Sequence, residues 1–342
     1  MTAASLNPPE RFAIWDIAKA IGIVLVVYGH CVRGLITGGI APPSPWLSAF
    51  DYAIYTFHMP LFFVISGLFV RTSMAKGPAK FWRNRLLTIA YPYIFWSLLQ
   101  GSMQLVLAGS GAANTAITPY RLLSILWYPI SPFWFLHALF FATVFAYLTR
   151  SMNPVIPLIC AGIAFVVSYN FMPIVMEDIA YGTLYFCLGM CIQHWRHDPS
   201  VIATKTSPFF LWLAFVAVSA VGYIVDLPER LWFPSAIVGM VALAATSASL
   251  GKHAHISRWL SQIGQASMAI YVMHILALGA ARTLLVHALG ISSLATLIPA
   301  CTFFGIALPF VLQYLTNALG ISKFIGLPSS KAPAQSVSYQ TV

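Results

Sequence analysis

Histidines stand inside long apolar runs at His30, His58, His137 and His274. An ionisable side chain at such a depth is costly and usually faces a bundle interior or a water-filled cavity, which makes each a candidate for chemistry. His30 is the most informative. Asp16, Lys19, Ile23, Val26, His30 and Arg33 follow steps of three and four, so they share one stripe of a helix. Gly22 and Gly29 lie on a neighbouring stripe and permit another helix to pack closely. An imidazole titrates near neutral pH and can serve as a base. Asp16 is about 21 Å from His30 by helix rise, so the two form no catalytic pair. Asp16 is expected to pair with Lys19 or another basic residue at the opposite membrane face.

The second apolar run places Asp51, Tyr55 and His58 on one stripe, followed by Pro60, Ser66 and Gly67. His58 then lies roughly 15 Å below the start of that helix. It either lines a cavity or, hydrogen-bonded, helps to seat a kink at Pro60. Late in the chain Gly264, Ser267, Tyr271 and His274 also share a stripe. Tyr271 and His274 either line one cavity or form a structural network. Trp134 and His137 read as packing and interface residues. Lys76, Lys80, Arg83 and Arg85 cluster just ahead of an apolar run. They set orientation, and they also suit a phosphate-rich ligand. Cys187, Cys191 and His194 have metal-like spacing but lack a clear fourth ligand. The five cysteines read as small buried hydrophobes, and no metal site is expected.

These residues must be positioned by helices in lipid. Of 342 residues, 59% are hydrophobic and 8% charged, with a mean hydropathy of +0.82. A soluble domain carries about 25% charged residues. The net charge of +10 does not imply nucleic acid, because the basic residues sit in short clusters between apolar runs. The expectation is an all-α polytopic membrane bundle of about ten transmembrane helices. The spans fall near 12–36, 48–70, 86–108, 131–149, 153–170, 174–193, 208–225, 231–250, 259–286 and 292–319. With both termini cytoplasmic, only Arg33, Arg121, Arg230 and Arg282 of the eighteen basic residues fall outside. Residues 1–327 form the membrane domain, and the Ser/Ala/Pro/Gln-rich stretch 328–342 is expected to be a disordered cytoplasmic tail. No cleavable signal peptide or separate soluble catalytic domain is expected.

Four segments resemble the membrane-bound acyltransferase family 3, particularly its fucose 4-O-acetylase-like branch. The segment from Trp15 to Gly29-His30 is similar to the family's first-helix signature, with Asp16 and Lys19 in place. Phe57-His-Met-Pro through Ser66-Gly67 resembles its second-helix signature. Phe133-Trp-Phe-Leu136 and Ser267-Met-Ala-Ile-Tyr-Val-Met-His274 resemble two later ones. The resemblance implies that acetyl-CoA, or another acyl-CoA, is used from the cytoplasm, and that the acyl group is carried to a sugar hydroxyl. It also implies that His30 is the central catalytic histidine. One departure is visible. The family often carries two arginines three apart at the start of the third helix, where this chain has Arg85 and Thr88.

The expected enzyme is therefore an O-acyltransferase of the bacterial inner membrane. An acyl-CoA is its co-substrate, no cofactor is tightly bound, and the acceptor is a glycan or lipid-linked sugar. Homo-oligomers are compatible with the sequence. Lys80, Arg83 and Arg85, with Asp16 and Lys19 near the entrance, would hold the donor, whose arm would run along the first-helix stripe. His30 would act as base or acyl carrier, with His58, Tyr271 or His274 orienting it or the oxyanion. The alternative is a transporter or flippase, which would also line a cavity with such residues but often shows an internal repeat. A non-catalytic scaffold would leave His30 without a role.

Overall fold

A computed structural model describes residues 8–107, 117–195 and 207–327. Among these, every regular element is helical. The helices are α1 (Pro8–Thr37), α2 (Pro45–Met74), α3 (Pro78–Arg85), α4 (Tyr91–Leu107), α5 (Pro119–Leu123), α6 (Trp134–Leu148), α7 (Val155–Phe171), α8 (Ile174–His194), α9 (Pro208–Ile224), α10 (Phe233–Gly251), α11 (Ala254–Gln265), α12 (Ser267–Arg282) and α13 (Leu294–Ala318). Prolines open α2, α3, α5 and α9, where a missing N–H costs no helical hydrogen bond. Gly77, at φ +91°, makes the turn between α2 and α3, a conformation that disfavours a side chain.

Among the described residues, six helices are long and apolar enough to cross a membrane: Ala13–Thr37, Pro45–Met74, Ile174–His194, Phe233–Gly251, Ser267–Ala288 and Leu294–Ala318. α6, α7 and α9 are apolar but shorter. Large apolar side chains cover the outside of the bundle, Phe171 and Ile224 being about 80% exposed. Hydrocarbon rather than water suits such a surface.

Two expected spans differ from the structure. The run 86–108 begins with a π-helical turn, Leu86–Ala90, that leads from α3 into α4. The run 259–286 is not one helix: Ala266 separates α11 from α12. α11 is amphipathic, with Ile256, Trp259, Leu260 and Ile263 set against Ser257, Arg258, Ser261 and Gln262, a pattern for lying at an interface. It packs on the start of α1 so closely that a Cβ at Gly264 would stand 1.8 Å from the Asp16 carbonyl oxygen. Gly264 therefore does not continue the stripe of Tyr271 and His274. The expected tail at 328–342 lies outside the described residues.

α2 and α8 form the tightest pair near the centre. A Cβ at Gly67 would meet the Phe186 carbonyl oxygen at 2.0 Å, and one at Gly189 the Val64 carbonyl oxygen at 2.2 Å. Small residues let the two backbones touch, the contact that substitutes for hydrophobic driving force within lipid. This contact fixes α2, the helix that carries Asp51, Tyr55 and His58.

Candidate active site

Three helices converge on His30. α1 carries His30 and Arg33, α2 carries Tyr55 and His58, and α12 carries His274. Gly29 makes the approach of α2 possible, since a Cβ there would lie 2.9 Å from the Tyr55 ring. Arg33 lies over that same ring, 3.2 Å from its centroid. It also forks onto Asp51, with Nε to Oδ2 at 2.9 Å and Nη2 to Oδ2 at 2.6 Å. Tyr55 then meets the His58 ring edge to face at 4.6 Å. The α2 stripe read from the sequence is thus one connected row, clamped to α1 by Arg33.

The rings of His30 and His274 lie 5.0 Å apart between centroids. His274 is fully buried, and its Nδ1 donates to the Tyr271 carbonyl at 2.6 Å. That bond assigns the proton to Nδ1 and leaves the Nε2 lone pair as an acceptor. This Nε2 is buried and has no hydrogen-bond partner among the described residues. His58 has the same local arrangement, with Nδ1 donating to the Ile54 carbonyl at 2.7 Å. Tyr271 is turned elsewhere: its hydroxyl donates to the Pro132 carbonyl. Its contribution is therefore to hold α12 against the turn that precedes α6.

His30 borders a cavity of about 970 Å³ that lies between α1, α4, α12 and α13. Most of its wall is aliphatic, including Leu35, Met103, Ile275 and Leu278. Its polar positions include His30, Arg33, Gln100, Gln104, Ser131 and Arg282. An apolar hollow with a few convergent polar groups is the usual form of a small-molecule site. Gln100 was not anticipated from the sequence. It is fully buried, its Nε2 donates to the Ser131 carbonyl at 2.8 Å, and its Oε1 has no partner among the described residues. The signal was present: Gln100 and Gln104 are polar residues one turn apart in an apolar run.

The expected donor residues lie at the other end of the bundle, in two separate groups on α1 and α3. Asp16 pairs with Lys19 at 2.6 Å and accepts from Gln265 at 3.1 Å. Lys80 and Arg83 are exposed on α3. Arg85 is half-buried over the Phe81 ring, its Nε lacks a partner among the described residues, and burial lowers its pKa from the usual value. Thr88 cannot stand in for an arginine here, because its hydroxyl donates back to the Asn84 carbonyl at 2.8 Å. Along α1 the expected path toward His30 is closed, Ile23 and Val26 being 1% exposed. The cavity extends instead to the end of α1 and α12 that carries Thr37 and Arg282, with His287 beyond α12. Of the cysteine group, the Cys191 thiol donates to the Pro154 carbonyl, while His194 approaches Arg71. Among the described residues, no three His, Cys, Asp or Glu side chains gather as metal ligands.

The sequence model of one family, described as an acyltransferase domain, matches residues 12–314. The chain belongs to this acyltransferase family. The match takes in every helix that borders the cavity and all nine residues singled out for catalysis or donor binding. Two family relatives are each called nodulation protein NolL. The protein from Sinorhizobium fredii is 29% identical over 195 residues, covering 55% of this chain and 50% of its own length. The one from Mesorhizobium japonicum is 29% identical over 193 residues, covering 53% and 47%. The chain thus matches about half the length of these curated relatives. No solved structure matches it.

Proposed function

We propose that the protein is a membrane-embedded O-acyltransferase that moves an acetyl group from cytoplasmic acetyl-CoA to a hydroxyl of an extracytoplasmic glycan or lipid-linked sugar. The observation that carries this reading is the position of His30. It lines a large cavity, takes no hydrogen bond from the described residues, and stands beside a second imidazole with an open lone pair. A transporter also needs a cavity. It does not need two adjacent imidazoles, and the family match favours acyl transfer.

In the proposed reaction a ring nitrogen of His30 removes the acceptor's hydroxyl proton. The freed oxygen attacks the thioester carbonyl carbon, the new C–O bond forms, and the C–S bond breaks. His30 then returns the proton to the departing CoA sulfur. During the reaction the His274 Nε2, unpartnered among the described residues, accepts the N–H of His30 and so orients it, with its own tautomer set by the Tyr271 carbonyl. Gln100 and Arg33 supply hydrogen-bond donors near developing negative charge. The aliphatic wall keeps bulk water from the thioester. His58 supports the site through Tyr55 and Arg33.

The topology that serves this reaction has ten crossings, with both ends on the cytoplasmic face of a bacterial inner membrane. α6, α7 and α9 act as short spans, and the π turn with α4 as the third. Lys80, Arg83 and Arg85 then face the cytoplasm and hold the CoA phosphates. Because Ile23 and Val26 are packed, the donor's arm must part them or pass between other helices. The test is incubation of purified protein in nanodiscs with acetyl-CoA labelled in the acetyl group. Label recovered as ester on the source organism's surface glycan supports the reading. Transport of the glycan without ester formation would replace it with the transporter.

A further inference from the structure

A second hollow, of about 230 Å³, lies beside the same end of α1 as the His30 cavity. The two occupy opposite flanks of α1: Val32 and Ile36 border the smaller one, His30 and Gly34 the larger, and Arg33 borders both. Their chemistry differs. The larger is walled mainly by aliphatic side chains, whereas the smaller gathers Ser48, Asp51, Glu229, Tyr52 and Tyr223 around Arg33.

Asp51 already neutralises Arg33 through the fork described above. The Glu229 carboxylate stands 4.0 Å from the same guanidinium and accepts no hydrogen bond from the described residues. Its carboxylate therefore keeps its acceptor capacity for something else, and the Ser48 hydroxyl is in the same position. Tyr52 and Tyr223 meet edge to face at 5.7 Å and give the hollow an aromatic wall. Strong acceptors for hydroxyl protons beside aromatic rings match a sugar, which presents hydroxyls at its rim and C–H groups on its faces. Two carboxylates against one guanidinium disfavour a phosphate or a uronate.

We infer that this hollow is a subsite for an uncharged sugar unit of the acceptor, adjoining the unit that is acylated in the His30 cavity. This rests on the acyltransferase reading. An acceptor spanning both hollows would cross the end of α1 over Arg33, so the subsite would select glycans longer than one sugar.

The full chain in nanodiscs is titrated with a fluorescently labelled oligosaccharide, released by mild acid from the surface glycan of cells that lack this protein. Wild type and Gly162→Ala, a control far from both hollows, are expected to bind it alike. Glu229→Gln and Ser48→Ala are expected to weaken binding, the former by about tenfold, the size of one hydrogen bond to a charged group. In turnover assays Glu229→Gln should raise the acceptor KM and leave the donor KM within about twofold. Binding by both subsite variants equal to wild type, or no binding by wild type, overturns the subsite. Wild-type binding that is weakened by Glu229→Gln, but with no ester formed, keeps the subsite and removes the acyltransferase reading instead.

Discussion

His30 and His274 come from opposite ends of the chain, yet their rings stand 5.0 Å apart with only His274 tied to the backbone. That asymmetry assigns different tasks to two like side chains. In the proposed reaction the untied ring at the cavity meets substrate, and the tied one sets its orientation. His274→Ala should lower kcat by about 10²-fold, with little change in either KM. The pH profile of kcat should also shift, because the orienting lone pair is gone. An unchanged profile with a matching loss of folded protein would reduce His274 to a packing residue.

The α2–α8 contact should be intolerant of a single methyl. Gly67→Ala and Gly189→Ala place a carbon against backbone oxygens that cannot move aside, at 2.0 and 2.2 Å. Each should destabilise the bundle by about 1–3 kcal/mol or more. Gly162→Ala is the control, since its nearest neighbour would be 3.9 Å away. Thermal unfolding in detergent should show lowered midpoints for the first two and none for the third.

The Arg33–Asp51 fork is partly open to solvent, so it contributes at most about 1 kcal/mol to stability. Its value is positional. Arg33→Lys keeps the charge but cannot form the fork or stack flat on Tyr55. The melting temperature should stay close to wild type while kcat/KM for the acceptor falls about tenfold. A large drop in melting temperature would show that the fork serves the fold instead.

Charge reversal at the opposite end should act on the donor alone. Arg83→Glu and Arg85→Glu should raise the apparent KM for acetyl-CoA, more strongly at low salt than at high salt. The acceptor KM should not move. If the donor KM also stays constant in correctly inserted protein, these residues only orient the chain.

Much of this site was legible because lipid makes polar residues conspicuous. Asp51, Tyr55 and His58 share one stripe and form one row, and Gly22 and Gly29 let α2 pack closely as their spacing implies, Gly29 against Tyr55 and Gly22 against Leu61 and Phe62. The break at Ala266 is hidden because a single residue separates the two helices and the apolar face of α11 runs on into α12. Only the polar face of α11 betrays it. The closure at Ile23 and Val26 was equally unreadable. Helical spacing places residues on a stripe, but only the neighbouring helices decide whether the stripe faces a channel or packed side chains. Tyr271 shows the same limit, since its direction depends on the Pro132 carbonyl, which is distant in sequence.

Proton transfer by His30 is the step on which the proposed acyl transfer depends. The direct measurement is acetyl-ester formation by wild type and His30→Ala, both purified in nanodiscs and matched for folded protein by thermal unfolding. A loss of about 10²–10⁴-fold in kcat is expected for His30→Ala. Ester formation by His30→Ala at the wild-type rate would contradict it.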